Sequence, residues 1–176
     1  MKILYEDILL TYNKIKPFLK ITESSYSEQI SKKLNCNLFI KFENRQNTGS
    51  FKIRGALSKL LSLSDKEKSR GVIGMSAGNH AQGLAYSGNK LGVNTNIVMP
   101  LGTPFTKIRR TKNFGGNIFL KGKDLVESKS YVNELINKYG YIEIHPYNDT
   151  QVIKGQATIY LEMLNQISEL DYLLVP

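Results

Sequence analysis

The sequence predicts an α/β fold in which parallel sheets are flanked by helices. Three observations carry this reading. Short, mostly apolar runs such as "VIGM" (Val72 to Met75) and "NIVMP" (Asn96 to Pro100) have the near-continuous character of strands buried on both faces. Between such runs, apolar residues recur at helical spacing. The two patterns alternate from about residue 36 onward, and strand–helix alternation means parallel strands joined by right-handed crossovers.

Each element has its own signal. "NLFIKF" (Asn37 to Phe42) reads as the first strand. Ile53, Ala56, Leu57, Leu60 and Leu61 follow at i, i+3, i+4, i+7 and i+8, one face of a helix. After "VIGM", Ala81, Leu84, Ala85 and Leu91 mark a helix closed by Gly92 as a C-cap. "NIVMP" is a strand, and Ile108 and Phe114 mark a helix ended by Gly115 and Gly116. "NIFL" (Asn117 to Leu120) is a strand, followed by a helix with Asp124 at its start and Leu125, Val132, Leu135 and Ile136 on its apolar face. "YIEI" (Tyr141 to Ile144) is a strand, then Asp149 or Thr150 caps a helix through Ala157, Leu161 and Leu164. "DYLLVP" (Asp171 to Pro176) is expected to be a last strand.

Composition narrows the function classes. The 176 residues are 41% hydrophobic and 22% charged, values of a folded globular chain. A single cysteine, Cys36, excludes an intrachain disulfide. The N-terminal stretch carries acids and lacks a cleavable apolar core, and no window approaches the ~20 apolar residues of a membrane span. A soluble, cytoplasmic protein without membrane partners is therefore expected. The net charge of +9 raises the question of nucleic acid. The basic residues are scattered, and the densest group, Lys107, Arg109, Arg110 and Lys112, shares a helix with Ile108 and Phe114 as a solvated face would. No zinc-finger spacing or aromatic–basic RNA motif occurs, so no nucleic-acid partner is expected.

In parallel α/β sheets ligands bind beyond the carboxyl ends of strands, where loops enter helices. Two such loops stand out. In "MSAGNHAQG" (Met75 to Gly83), Gly78 permits a turn, and the amides of Ala77 to Ala81 open a helix N-terminus suited to a carboxylate or phosphate. The plain alternative is an N-cap by Ser76 or Asn79. In "TGSFKIRGA" (Thr48 to Ala56), Phe51 offers a flat surface beside Lys52. Under a cleft, desolvation would lower the lysine's pKa and free an amine able to form a Schiff base; the plain alternative is a surface lysine in a first helical turn. Other motifs fail: there is no dinucleotide fingerprint and no P-loop, and His80, His145 and Cys36 make a poor metal set. His80 reads as a helix-start residue rather than a base.

Taken together, "KFENRQNTGSFKIRGA" (Lys41 to Ala56) and "SAGNHAQG" (Ser76 to Gly83) resemble the two signature segments of threonine dehydratases, members of the fold type II pyridoxal-phosphate enzymes related to serine dehydratase and serine racemase. The resemblance continues through "IVMPLGTPFTKI", "HPYNDTQVIKGQATIYLEML" and "DYLLVP", nearly the whole chain. It implies a tryptophan synthase β-like architecture, with residues 1–48 opening a large domain, 49–147 forming a small α/β domain and 148–176 returning to the large one. It implies pyridoxal 5'-phosphate as cofactor, a small amino acid as substrate, a homo-oligomer, and conversion of L-threonine or L-serine to a 2-oxo acid and ammonia. By matching position, Lys52 would carry the cofactor and remove the α-proton, Phe51 would pack near the cofactor ring, and Asn79 would donate to its 3-oxygen. Ser76, Ala77, Gly78, Asn79 and His80, mostly through backbone N–H groups, would hold the substrate carboxylate.

Two departures qualify the match. A Thr-Pro-Leu segment usual in the family is replaced by "TESSYS" (Thr22 to Ser27). In the family a strand like "YLLVP" runs into a glycine-rich loop that binds the cofactor phosphate, whereas this sequence stops at Pro176. A C-terminally truncated fragment, with weak cofactor retention, is thus expected. Ile53 after Lys52 and "NHAQG" favour the dehydratase and racemase branch. A serine racemase-like activity and a non-catalytic binding module remain open, as do biosynthetic (isoleucine) and catabolic roles.

Overall fold

The computed structural model describes residues 2–175. Its centre is a four-stranded, all-parallel sheet built from β3 (Val72–Met75), β4 (Thr95–Met99), β5 (Asn117–Leu120) and β6 (Ile142–Glu143), in the spatial order β5-β4-β3-β6. Helix α5 (Asn79–Leu91) joins β3 to β4, α6 (Phe105–Asn113) joins β4 to β5, and α7 (Leu125–Tyr139) joins β5 to β6. Strand residues alternate between the two faces. Val72, Ile97 and Met99 pack with Ala81 and Leu84 of α5 and with Ala56 and Leu60 of α3 (Lys52–Ser62). Ile73 and Val98 pack on the opposite face with Val132 and Leu135 of α7. The chain runs outward from β3 to β5, then returns to place β6 on the other side of β3. The crevice at the carboxyl ends of β3 and β6 is thus the topological switch point, where such sheets bind ligands.

The expected caps are present at three helices. Asp124 accepts from the Glu127 amide at 2.9 Å, and Asp149 accepts from the Gln151 and Val152 amides to start α8 (Thr150–Gln166). Gly92 closes α5 at φ +66°, which glycine adopts without the usual Cβ penalty. The four basic residues of α6 are exposed, as a solvated face requires.

Other expectations are corrected. "NLFIKF" does form a strand, β2 (Phe39–Lys41), but it pairs antiparallel with β1 (Ser24–Tyr26) in a separate two-stranded sheet. Helices α1 (Tyr5–Ile15), α2 (Glu28–Leu34) and α4 (Asp65–Arg70) complete the fold. Asp171 to Val175 form no strand: they make no ladder and are exposed, because none of the described strands lies beside them to supply hydrogen bonds. Pro176, the end of that expected strand, lies outside the described residues. Leu125, assigned to the apolar face of α7, stands 60% exposed at its first turn.

Candidate active site

Lys52 is the first residue of α3. Gly49, at φ +74°, turns the chain just before it, and Phe51 at the N-cap offers no side-chain cap. The Lys52 Nζ donates to the Pro146 carbonyl at 3.1 Å and lies 5.2 Å from the centre of the Phe51 ring. Pro146 follows β6, so the amine reaches the crevice at the switch point. No carboxylate pairs with it among the described residues. Burial without a counter-charge lowers the pKa of the amine, which raises its neutral fraction at a given pH.

The second loop faces the same crevice. Gly83 permits α5 to approach α3 closely: a Cβ there would lie 3.0 Å from the Lys52 carbonyl carbon and the Ile53 nitrogen. This contact sets the start of α5 against the backbone that carries Lys52. The N-cap of α5 is Gly78, without a side-chain cap bond. Ser76 and Asn79 therefore do not cap this helix as the plain reading supposed. Ser76 Oγ instead accepts from the Gly78 amide at 3.1 Å, so that amide is already occupied. The amides of Ala77, Asn79, His80 and Ala81 make no hydrogen bond among the described residues. Asn79 is exposed, and its side-chain amide makes no hydrogen bond among the described residues.

His80 is 3% exposed, and its Nε2 lies 3.1 Å from the Ile144 carbonyl. A carbonyl can only accept, so Nε2 carries the proton and Nδ1 presents a lone pair. Nδ1 has no partner. Burial pushes the imidazole pKa down to about 4 against the opposing pull of the Ile144 carbonyl, and the nearby Lys52 and His145 charges push it the same way. His80 is neutral at pH 7. Three further buried atoms without partners flank this pair: Thr48 Oγ1 and Ser50 Oγ on the turn before Lys52, and Gln82 Oε1 on α5. Buried polar atoms are ordinarily satisfied, so orphaned atoms on both loops that meet here mark a place suited to another polar molecule; two more, Ser58 Oγ and Gln156 Nε2, lie on the seam of α3 and α8 instead.

Sequence reasoning brought Lys52, Phe51 and the Ser76–His80 loop to one crevice, but it missed a buried charge cluster beside them. Arg54 is fully buried and forms double ion pairs with Glu43 and Glu162. Lys41 Nζ joins Glu162 at 2.7 Å, and Thr22 Oγ1 donates to Glu43 at 2.6 Å. Two cations thus meet two carboxylates. The Arg54 guanidinium holds Glu162 below the ordinary carboxylate range although burial acts the other way. A signal was available: an arginine stands among Ile53, Gly55, Ala56 and Leu57, and a helix turn apolar all round must bury it with a partner.

Among the described residues no group of three or more His, Cys, Asp or Glu is placed to hold a metal, and no helix is long and apolar enough to cross a membrane.

Residues 15–176 match the family described as "Pyridoxal-phosphate dependent enzyme". The chain is 44% identical over 163 residues to the catabolic L-threonine dehydratase TdcB of Staphylococcus aureus (strain N315), an alignment spanning 92% of this chain and 47% of that protein. It resembles the structure of the processed form of threonine deaminase isoform 2 from Solanum lycopersicum, with TM-score 0.84 and 40% identity, covering 92% of this chain and 44% of that one. It also resembles serine racemase from Dictyostelium discoideum, with TM-score 0.89 and 33% identity over 94% of this chain and 54% of that one. The chain spans about half the length of the curated relatives it matches.

Proposed function

The chain belongs to the pyridoxal-phosphate dependent enzyme family, and from that premise we propose that it serves the dehydration and deamination of L-threonine, and of L-serine, to a 2-oxo acid and ammonia. The observation that carries this reading is the Lys52 amine, held at the switch point by one carbonyl, unpaired with any carboxylate among the described residues and pushed toward its neutral form by burial. The residues present fit the cofactor: a lowered amine, an aromatic face beside it, unengaged amides at a helix start and orphaned hydroxyls nearby.

Bound pyridoxal 5'-phosphate supplies an electron-withdrawing ring that stabilises negative charge on the substrate carbon losing its proton. Lys52 would hold that group through Nζ, then accept the substrate α-proton at the same atom. Phe51 would pack near the ring and help exclude water. Asn79 would donate from its side-chain amide to the ring oxygen. The amides of Ala77, Asn79 and His80 would orient the substrate carboxylate, with Gly78 kept in place by Ser76. On this reading residues 49–147 form the small domain, and 1–48 and 148–176 belong to the large one. The relatives' catabolic designation favours a degradative role over isoleucine biosynthesis.

The test is release of 2-oxo acid and ammonia from L-threonine by the whole protein, and its loss in Lys52→Ala. Retained turnover in Lys52→Ala would remove Lys52 from the reaction. Inversion of L-serine without 2-oxo acid would favour the racemase reading, which the backbone likeness supports. No turnover of either amino acid by a folded, cofactor-loaded protein would favour the non-catalytic one.

A further inference from the structure

Arg54 lies two residues beyond Lys52, and its surroundings fix where the first turn of α3 can be. Its Nε and Nη2 donate to the two oxygens of Glu43, and its Nη1 and Nη2 to the two oxygens of Glu162, at 2.8–2.9 Å. Glu43 follows β2 and Glu162 lies on α8, so one guanidinium ties α3 to both. The two helices also touch backbone to backbone: a Cβ on Gly155 of α8 would lie 2.5 Å from the Arg54 carbonyl oxygen and 2.6 Å from Gly55 Cα. Gln156 Oε1 accepts from the Gly55 amide at 3.2 Å, and Lys59 pairs with Asp149 at 2.7 Å. Sliding or rotating α3 on α8 would break these contacts together.

Among the described residues the Lys52 side chain has a single hydrogen bond of its own, to Pro146 in the segment leading from β6 into α8. The distance from amine to carbonyl is therefore set by how α3 sits on α8. We infer that Arg54 is a positioning residue for Lys52: its double fork on Glu43 and Glu162 holds the first turn of α3 so that the amine stays between the Phe51 ring and the Pro146 carbonyl. Lysine at position 54 would keep the charge but lose the fork, since an ammonium cannot match two carboxylates in one plane.

The inference rests on Lys52 being the reactive amine of the proposed function, but its test reads the amine directly, without cofactor. The intact chain is acetylated with acetic anhydride across a range of pH, and the rate at each lysine is followed by peptide mass spectrometry. The titratable group facing the amine is His80 on α5, which His145 after β6 faces in turn. In the native chain Lys52 should titrate below a free lysine side chain in an unstructured peptide. In Arg54→Lys the Lys52 midpoint should move up toward the free-lysine value, and its rate at neutral pH should fall about threefold or more. Ser64→Ala, which removes the cap of α4, should lower thermal stability and leave the Lys52 profile in place. A folded Arg54→Lys chain with a native Lys52 profile would overturn the positioning role alone. A native profile that already matches a free lysine would overturn both this role and the reactivity of Lys52. If Arg54→Lys does not fold, Glu162→Gln, which keeps the shape and one acceptor oxygen, carries the same reading, and an unmoved profile there counts equally against it.

Discussion

Lys52 and Arg54 are two cations on one turn of one helix, and they are treated in opposite ways. Arg54 is wholly buried, and every nitrogen of its guanidinium meets a carboxylate oxygen. Lys52 is half-buried and meets one carbonyl and one aromatic face. Around Arg54, Thr22 and Lys41 complete Glu43 and Glu162, while Ser58 Oγ and Gln156 Nε2 on the same α3–α8 seam have no partner among the described residues. Around Lys52, Thr48, Ser50, His80 and Gln82 each keep a buried atom without a partner. The charged groups that tie α3 to its neighbours are satisfied among themselves, while the amine of Lys52 and the polar groups of its turn are left open, at a cost the surrounding structure must offset.

The largest expected effect tests the closed side of this comparison. Arg54→Met leaves Glu43 and Glu162 buried together with only Lys41 to compensate, and should destabilise the chain by about 3–5 kcal/mol, read from urea unfolding. A loss under about 1 kcal/mol would mean that water already reaches the cluster. The open side has a pH signature. His80 has a pKa of about 4 in the fold against an ordinary 6.5, so between those values the unfolded chain binds the extra proton. Stability from this group is complete above pH 6.5 and falls as pH drops toward 4, by about 3 kcal/mol in all. His80→Asn should flatten that part of the stability profile. An unchanged slope would show that His80 is not kept neutral.

A smaller effect separates the glycines of the two regions. Gly155→Ala drives a Cβ into the Arg54 carbonyl and Gly55, and should cost about 1–3 kcal/mol. Gly78→Ala meets nothing within 4 Å, so it loses only the N-cap preference for glycine over alanine and should cost less, under about 1 kcal/mol. Equal losses at the two positions would break the distinction between a clamped helix crossing and an open loop.

The sequence made the open region legible and hid the closed one, for a physical reason. Strands β3 and β5 and the caps of α7 and α8 announce themselves through neighbours within a few residues. The turn before Lys52 and the start of α5 are likewise local, built on Gly49 and Gly78. The Arg54 cluster joins residues 11 and 108 positions apart, a separation that helical or strand periodicity does not encode. Strand β1 was missed because "SSY" has neither alternation nor apolar character, and its antiparallel pairing with β2 spans helix α2. "DYLLVP" misled in the opposite sense. Apolar residues propose a strand, but a strand exists only where a ladder partner lies beside it.

The smallest effect is the sharpest test. Lys52→Met removes a cation of the same helix turn, with a side chain of similar length, and by ordinary expectation should resemble Arg54→Met. The structure predicts otherwise. No carboxylate among the described residues loses a counter-charge, the Pro146 carbonyl loses one donor, and the methionine thioether takes the place of an amine that burial already disfavours as a cation. The stability change should therefore stay within about 0.5 kcal/mol in the same urea assay. A loss comparable to that of Arg54→Met would mean that the Lys52 charge helps hold the fold, and the contrast drawn between the two cations would collapse. A near-zero change, with turnover lost, would separate the residue that holds the helix from the one the helix holds in place.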